Sequence, residues 1–179
     1  QRTAFLSRAR SQKSARQSQY LLGKILPRGV ADRLEAGKTI LDHVPDAAVL
    51  FFEIMPLEQA TKRHHKTYLD RLDEVTCRLD MVVREFDLET IKTIGSVYMV
   101  AAGIPRPQSL HVARLAQAAT AMVGVLNVPE TKKGLWTHRG GLDTGPVIGG
   151  VIGTKSFAYD CWGATVNRAA RLQQQAEPG

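Results

Sequence analysis

Cysteine is scarce in this chain, with only Cys77 and Cys161 among 179 residues. So few thiols exclude a disulfide-stapled scaffold and a cysteine-built zinc site. Both lie in apolar surroundings, helix-like for Cys77 and strand-like for Cys161, which predicts small core residues in a reducing compartment. Long apolar runs are also missing, and none approaches the ~20 residues that a membrane-spanning helix needs. The N-terminus does not read as a secretory leader, because Arg8, Arg10, Lys13 and Arg16 interrupt it. Aromatic residues make up only 6%, and no aromatic pair falls where nucleobases would stack, which argues against an RNA-binding domain. There is no internal repeat, and the run Gln173 to Gln175 is the one compositional bias.

Acidic residues are absent from positions 1–31, which hold seven basic ones: Arg2, Arg8, Arg10, Lys13, Arg16, Lys24 and Arg28. The remainder carries 17 basic against 17 acidic residues, so the whole net charge of +7 belongs to this leading segment. It reads either as a surface for an acidic membrane or partner, or as a plain solvated basic helix. The neutral remainder gives no sign of nucleic-acid binding. With 44% apolar residues, the length suffices for one domain with a substantial core plus an appendage.

The segment "YLLGKILPRGVADRLEAG" predicts helix interrupted at Pro27 and stopped at Gly37. "AAVLFFEIM" is a continuous apolar run of strand length, as in a central strand buried on both faces. Leu69, Leu72, Val75, Leu79, Val82, Val83 and Phe86 form a helical stripe. "LETIKTIG" and "SVYMVAAGI" read as strands joined tightly at Gly95-Ser96. A second amphipathic helix follows, with Val112, Leu115, Ala119, Met122 and Leu126 on one side. "LWTHRGGLDTGPVIGGVIG" is strand-like and rich in glycine, with tight turns expected. "ATVNRAARLQQQ" is a helix whose cap is expected near Thr165. Strand, helix, strand, strand, helix, strand, helix suggests an α+β fold, a ferredoxin-like split β-α-β sandwich.

Several residues invite a functional reading. "GGVIGTKS" resembles a phosphate loop, but Thr154 separates Gly153 from Lys155, so a glycine-rich hairpin fits better. His64 and His65 lie among Lys62, Arg63 and Lys66, a poor place for a metal cation, and read as a solvated turn. Asn167 and Arg171, four apart on a helix, share a face that is either functional or simply wet. Lys92 interrupts a β-branched run, and Asp160 lies between Tyr159 and Cys161-Trp162. Charges in such settings need a partner or a ligand, and these two either pair with each other or serve a bound molecule.

The blocks "LLGKILPRGVADRL", "VLFFEI", "IKTIGSVYMVAAGIP", "GPVIGGVIG" and "YDCWGATVNRAAR" occur in order over nearly all of residues 21–179. Together they resemble the class III adenylyl/guanylyl cyclase catalytic domain. The resemblance implies residues 1–43 as a basic N-terminal helix and coupling segment and 44–179 as the cyclase homology domain. It also implies a dimer with active sites between two such domains. Lys92 resembles the family's base-reading lysine and Asp160 its partner. Asn167 resembles the ribose-orienting asparagine, and Arg171 the arginine that stabilises the transition state. Adenine offers a ring-nitrogen acceptor and an amino donor, which suit a lysine and an aspartate; guanine presents the reverse. Lys92 and Asp160 therefore favour ATP over GTP.

Two departures carry as much weight. The family's two metal-binding aspartates correspond here to Glu53 and Ser96. Cyclisation, attack of the ribose 3′-hydroxyl on the α-phosphorus with loss of pyrophosphate, relies on two Mg²⁺ (or Mn²⁺) ions, which want several anionic oxygens. No metal ligand is expected in this chain, and the metal is expected on a partner. The combination resembles the second catalytic half of two-part membrane adenylyl cyclases, whose serine lines a pseudo-symmetric pocket without chemistry. The implied partners are ATP and a second cyclase homology domain in a heterodimer or pseudo-heterodimer. The implied location is cytoplasmic, in a larger protein that can be membrane-tethered. The alternative is an inactive cyclase-like module for regulation or dimerisation. The chain stops at "AEPG", where the family continues into strands with a triphosphate-binding lysine, so truncation of the C-terminal strands is expected.

Overall fold

The structure is a computed structural model that describes residues 22–23, 25–27, 29–56, 65–127, 136–153 and 158–179, the side chains of 65–68 excepted. Of the expected basic lead of residues 1–31, positions 1–21, Lys24 and Arg28 lie outside the described residues, as do His64, the His65 side chain and Lys155. A short helix α1 (Val30–Glu35) precedes β1 (Leu41–Pro56), α2 (His65–Glu85), β2 (Glu89–Ile94), β3 (Val97–Ala102) and α3 (His111–Leu126). Then follow β4 (Trp136–Ile152), β5 (Ala158–Trp162) and α4 (Ala164–Gln175). The strands form one antiparallel sheet in the order β2-β3-β1-β4-β5, the split β-α-β arrangement with one more strand, β5, at its edge.

β1 lies at the centre because it can be buried on both faces, and Ala47 to Phe52 are all buried. On one face Leu50, Phe52, Val100 and Ala102 pack against Val75, Leu79 and Val83 of α2 and Leu115 and Met122 of α3. On the other, Val49, Phe51, Met99 and Ala101 pack with Val30, Tyr159, Cys161 and Ala169. This alternation is the period of two that a strand imposes. Asp42 secures the second face, receiving Arg33 Nη2 at 2.7 Å and the Tyr159 hydroxyl at 2.9 Å. Burial, ahead of the neighbouring thiol and carboxylate, pushes the Tyr159 hydroxyl up in pKa.

Several expectations are corrected. Cys77 is exposed, not a core residue. Two positions past Val75 places it about 200° round the helix, away from the apolar stripe. Leu69 lies in α2 but is 60% exposed, and Val112 is exposed at the start of α3, whose buried positions are Leu115, Ala118, Met122 and Leu126, with Ala119 partly buried beside them. The glycines of β4 do not make turns, since one strand of 17 residues runs through them. They allow close approach: a Cβ at Gly141 would collide with the α4 backbone, and one at Gly149 with the Tyr159 side chain. The turn glycines are elsewhere, Gly37 with φ 70° ending α1 and Gly95 with φ 62° in the β2–β3 hairpin.

Candidate active site

Lys92 and Asp160 come from the two outermost strands of the sheet order, yet they meet. A register shift between Val44 and Ala47 breaks the β1–β4 pairing into two parts, and β5 comes into contact with β2. Alternation along β5 turns Tyr159 and Cys161 into the core and leaves Asp160 on the face shared with Trp162. Lys92 Nζ donates to Asp160 Oδ2 at 2.6 Å, and the Cys161 amide donates to Oδ1 at 2.8 Å. The pair is half-buried, with side-chain exposures of 38% and 23%. Lys92 keeps two unused N–H donors and Asp160 keeps lone pairs, so both can hold a third group. A partly exposed pair of this kind contributes little to stability, typically about 0–1 kcal/mol. Burial pushes the adjacent Cys161 thiol up to about 12, with the Asp160 charge adding to it, so this cysteine stays protonated.

Glu53 and Ser96 also lie side by side. Glu53 pairs with Val97 across β1 and β3, and the Ile54 amide donates to the Ser96 carbonyl at 3.0 Å. Glu53 is already engaged. Its Oε2 accepts Arg139 Nε at 2.6 Å and Gln173 Nε2 at 2.6 Å. Arg139 Nη1 donates onward to the Gln174 carbonyl at 3.2 Å. Among the described residues no group of three His, Cys, Asp or Glu side chains could hold a metal ion. One carboxylate facing a guanidinium, with a neutral serine beside it, does not fit a pair of hard divalent cations.

Helix α4 presents Asn167 and Arg171 outward, both exposed. Arg171 has no ion-pair partner among the described residues. The inward stripe is Thr165, Ala169 and Gln173, at the four-residue spacing of one helix face. The expected cap at Thr165 is a correction: Gly163 precedes the helix, and Thr165 Oγ1 instead donates to the Pro146 carbonyl on β4 at 2.8 Å. The structure thus brings Lys92 to Asp160 and Glu53 to Ser96, and leaves Asn167 and Arg171 on an open helix face. Sequence reasoning missed Arg139 and Gln173. Arg139 carried the same signal as Lys92, a cation inside a strand-like run. Gln173 was hidden in a glutamine run, although it continues the inward spacing from Thr165 and Ala169.

Residues 41–179 match the family described as the adenylate and guanylate cyclase catalytic domain. The chain belongs to this family. An adenylate cyclase of Mycobacterium tuberculosis is 36% identical over 166 residues, covering 90% of this chain and 38% of that protein. The human atrial natriuretic peptide receptor 2 is 31% identical over 171 residues, covering 90% of this chain and 16% of that protein. The chain spans less than half the length of these curated relatives. Among solved structures, the adenylyl cyclase CyaB from P. aeruginosa shares the fold with a TM-score of 0.68 at 22% identity, covering 76% of this chain and 74% of that one. So does the catalytic core of a rhodopsin-guanylyl cyclase with converted specificity in complex with ATPalphaS, at TM-score 0.69 and 23% identity, over 77% and 76% of the two chains. The matched family covers both adenylate and guanylate cyclases, so membership alone does not choose between ATP and GTP. Class III cyclases generally use a divalent metal, which the Glu53 and Ser96 surroundings do not fit. None of the described helices is long and apolar enough to cross a membrane.

Proposed function

We propose that this chain is the base-reading and transition-state half of an adenylyl cyclase, forming cyclic AMP from ATP at an interface with a second cyclase domain. The observation that carries the reading is a division within one chain. The Lys92–Asp160 pair is present and reachable, while the position of the metal carboxylate is closed by Arg139 and Gln173. A partner is supported by an apolar face that continues from Asp160. Register places Leu41 and Asp160 opposite Gly150 and Trp162 opposite Ile148, and Leu41, Ile148, Ile152 and Trp162 are all exposed.

In this reading Lys92 donates to a ring nitrogen of adenine and Asp160 accepts from its amino group. Asn167 orients the ribose so that its 3′-oxygen lies in line with the α-phosphorus. That oxygen bonds to phosphorus, the bond to the bridging oxygen of pyrophosphate breaks, and the hydroxyl proton leaves to solvent. The Arg171 guanidinium stabilises charge gathering on the α-phosphoryl oxygens. The residues of this chain leave Mg²⁺ or Mn²⁺ to the partner domain.

The test is cyclic nucleotide production from ATP and from GTP with Mg²⁺, by the protein alone and mixed with a cyclase domain that carries both metal aspartates. Cyclic AMP only in the mixture, with Lys92→Met reducing the preference for ATP about tenfold or more, is the expected result. Full activity of the protein alone would refute the half-site reading. A second reading is favoured by one observation, the closure of Lys92 on Asp160 and of Glu53 on Arg139: a regulatory or dimerisation module without turnover. A silent mixture in which the two proteins associate would select it.

A further inference from the structure

Helix α4 is fastened to the sheet along its inner stripe, and its last turn is fastened differently from its first. At the start, Thr165 Oγ1 donates to the Pro146 carbonyl and Arg168 Nε to Asp143 Oδ2 at 2.7 Å. In the middle Ala169 is fully buried, and the bare Cα of Gly141 lets the helix backbone settle onto β4. At the end the attachment is a charged network. Glu53 on β1 holds both Arg139 of β4 and Gln173 of the helix, and Arg139 reaches back to the Gln174 carbonyl. Carbonyls in the last turn of a helix lack intrahelical partners, and a cation there is favourable. Three elements are therefore tied through one carboxylate. Glu53, at the position of one of the family's metal aspartates, has no lone pairs to spare for a metal on the oxygen that Arg139 and Gln173 share.

We propose that Glu53, with Arg139 and Gln173, is a clamp that positions α4 and through it Arg171 and Asn167, and that Glu53 is a positioning residue and not a metal ligand. The inference rests on the half-site reading, within which it gives Glu53 its task. Arg171 is three residues from Gln174, about 4.5 Å along the axis at 1.5 Å per residue. Asn167 is nearer the Thr165 attachment. Loosening the clamp therefore displaces Arg171 most, and it leaves Lys92 and Asp160, on β2 and β5, where they are.

The experiment uses Glu53→Gln, Arg139→Met and the double variant, with Gln173→Met as a change that keeps the Glu53–Arg139 pair and the Arg139 bond to the Gln174 carbonyl and removes only the side-chain link from Glu53 to the helix. In the protein by itself, amide hydrogen exchange is expected to quicken at residues 171–175 and to stay unchanged in β1 and β3. Unchanged exchange in the helix would overturn the clamp. Mixed with the metal-bearing cyclase domain, each variant is expected to lose about ten- to a hundredfold in kcat. KM for ATP and the Mg²⁺ concentration for half-activation are expected to hold, and the double variant to lose no more than the worse single one. A raised Mg²⁺ requirement in Glu53→Gln would overturn the proposal by making Glu53 a ligand. A lowered stability with normal kcat would overturn it by making the network merely structural. If the unaltered mixture makes no cyclic AMP, the half-site reading fails, and the exchange measurement still decides the clamp. Should Glu53→Gln fail to fold, Gln173→Met carries both readouts.

Discussion

Gly141→Ala is a single added methyl group that should cost the protein both stability and turnover, and Gly140→Ala next to it should cost almost nothing. A Cβ at Gly141 would point at the backbone of α4, with the Leu172 carbonyl carbon at 2.8 Å and atoms of Ala169 and Gln173 closer still. Backbone in a helix cannot swing aside as a side chain can. The helix would have to rise by about 1 Å to bring these contacts near the 3.5–4.0 Å of a favourable carbon pair. Overpacking of this kind typically costs about 1–3 kcal/mol, and in a chain of this size each kcal/mol lowers Tm by about 2–4 °C. A rise of that size would also stretch the Gln173–Glu53 bond and move Arg171. Since misplacement by about 1 Å can cost a hundredfold in rate, kcat should fall by at least tenfold in a complemented cyclase. A Cβ at Gly140 faces the other side of the sheet and meets only the Phe51 carbonyl oxygen at 3.6 Å and Phe52 and Leu50 side-chain carbons at 3.7 and 3.9 Å, ordinary contacts. Thermal unfolding of the two variants, followed by turnover with a metal-bearing partner, tests the argument. Equal, small effects in both would refute the tight seating of α4 on β4.

Arg171→Ala should leave Tm unchanged, because the side chain is exposed and unpaired among the described residues, yet lower kcat in a complemented dimer by about 10²–10³; unchanged turnover would remove it from the mechanism. Thiol alkylation followed by mass spectrometry should label Cys77 within minutes and Cys161 only on unfolding, since burial holds the latter up to about 12. Burial also lowers the pKa of His138, whose ring stacks on Phe52 at 5.5 Å between centroids. The unfolded chain therefore takes up this proton first, so stability is full above the ordinary value of 6.5 and declines as pH falls from there to the lowered folded value. Urea midpoints at pH 7.5 and 5.5 should show this loss, and His138→Gln should reduce it.

The central strand was legible because an uninterrupted apolar run leaves few alternatives to a strand buried on both faces. Gly95 and Ser96 marked their hairpin for an equally local reason, since a tight turn needs the positive φ that glycine accepts. Cys77 was misread because apolar neighbours in sequence lie round the far side of a helix. The β4 glycines were misread as turns because glycine in a strand means either a turn or a close approach, and nothing local separates the two. Thr165 looked like a cap for the same kind of reason, as a hydroxyl near a helix start serves equally well to bond a neighbouring strand.

Local chemistry in the sequence was enough to mark Lys92 and Asp160 as charges out of place, to order five blocks that resemble a cyclase domain, and to expose Glu53 and Ser96 as departures from its metal pair. Those are properties of residue type and spacing, which survive without coordinates. The bonds of Glu53 are of another kind. Its partners Arg139 and Gln173 stand 86 and 120 residues away in the chain. Only the pairing of β1 with β4, and the seating of α4 over Gly141, brings two such distant groups onto one carboxylate oxygen. Side-chain identity set what each residue could do; the folded contacts decided which of those things Glu53 is left free to do.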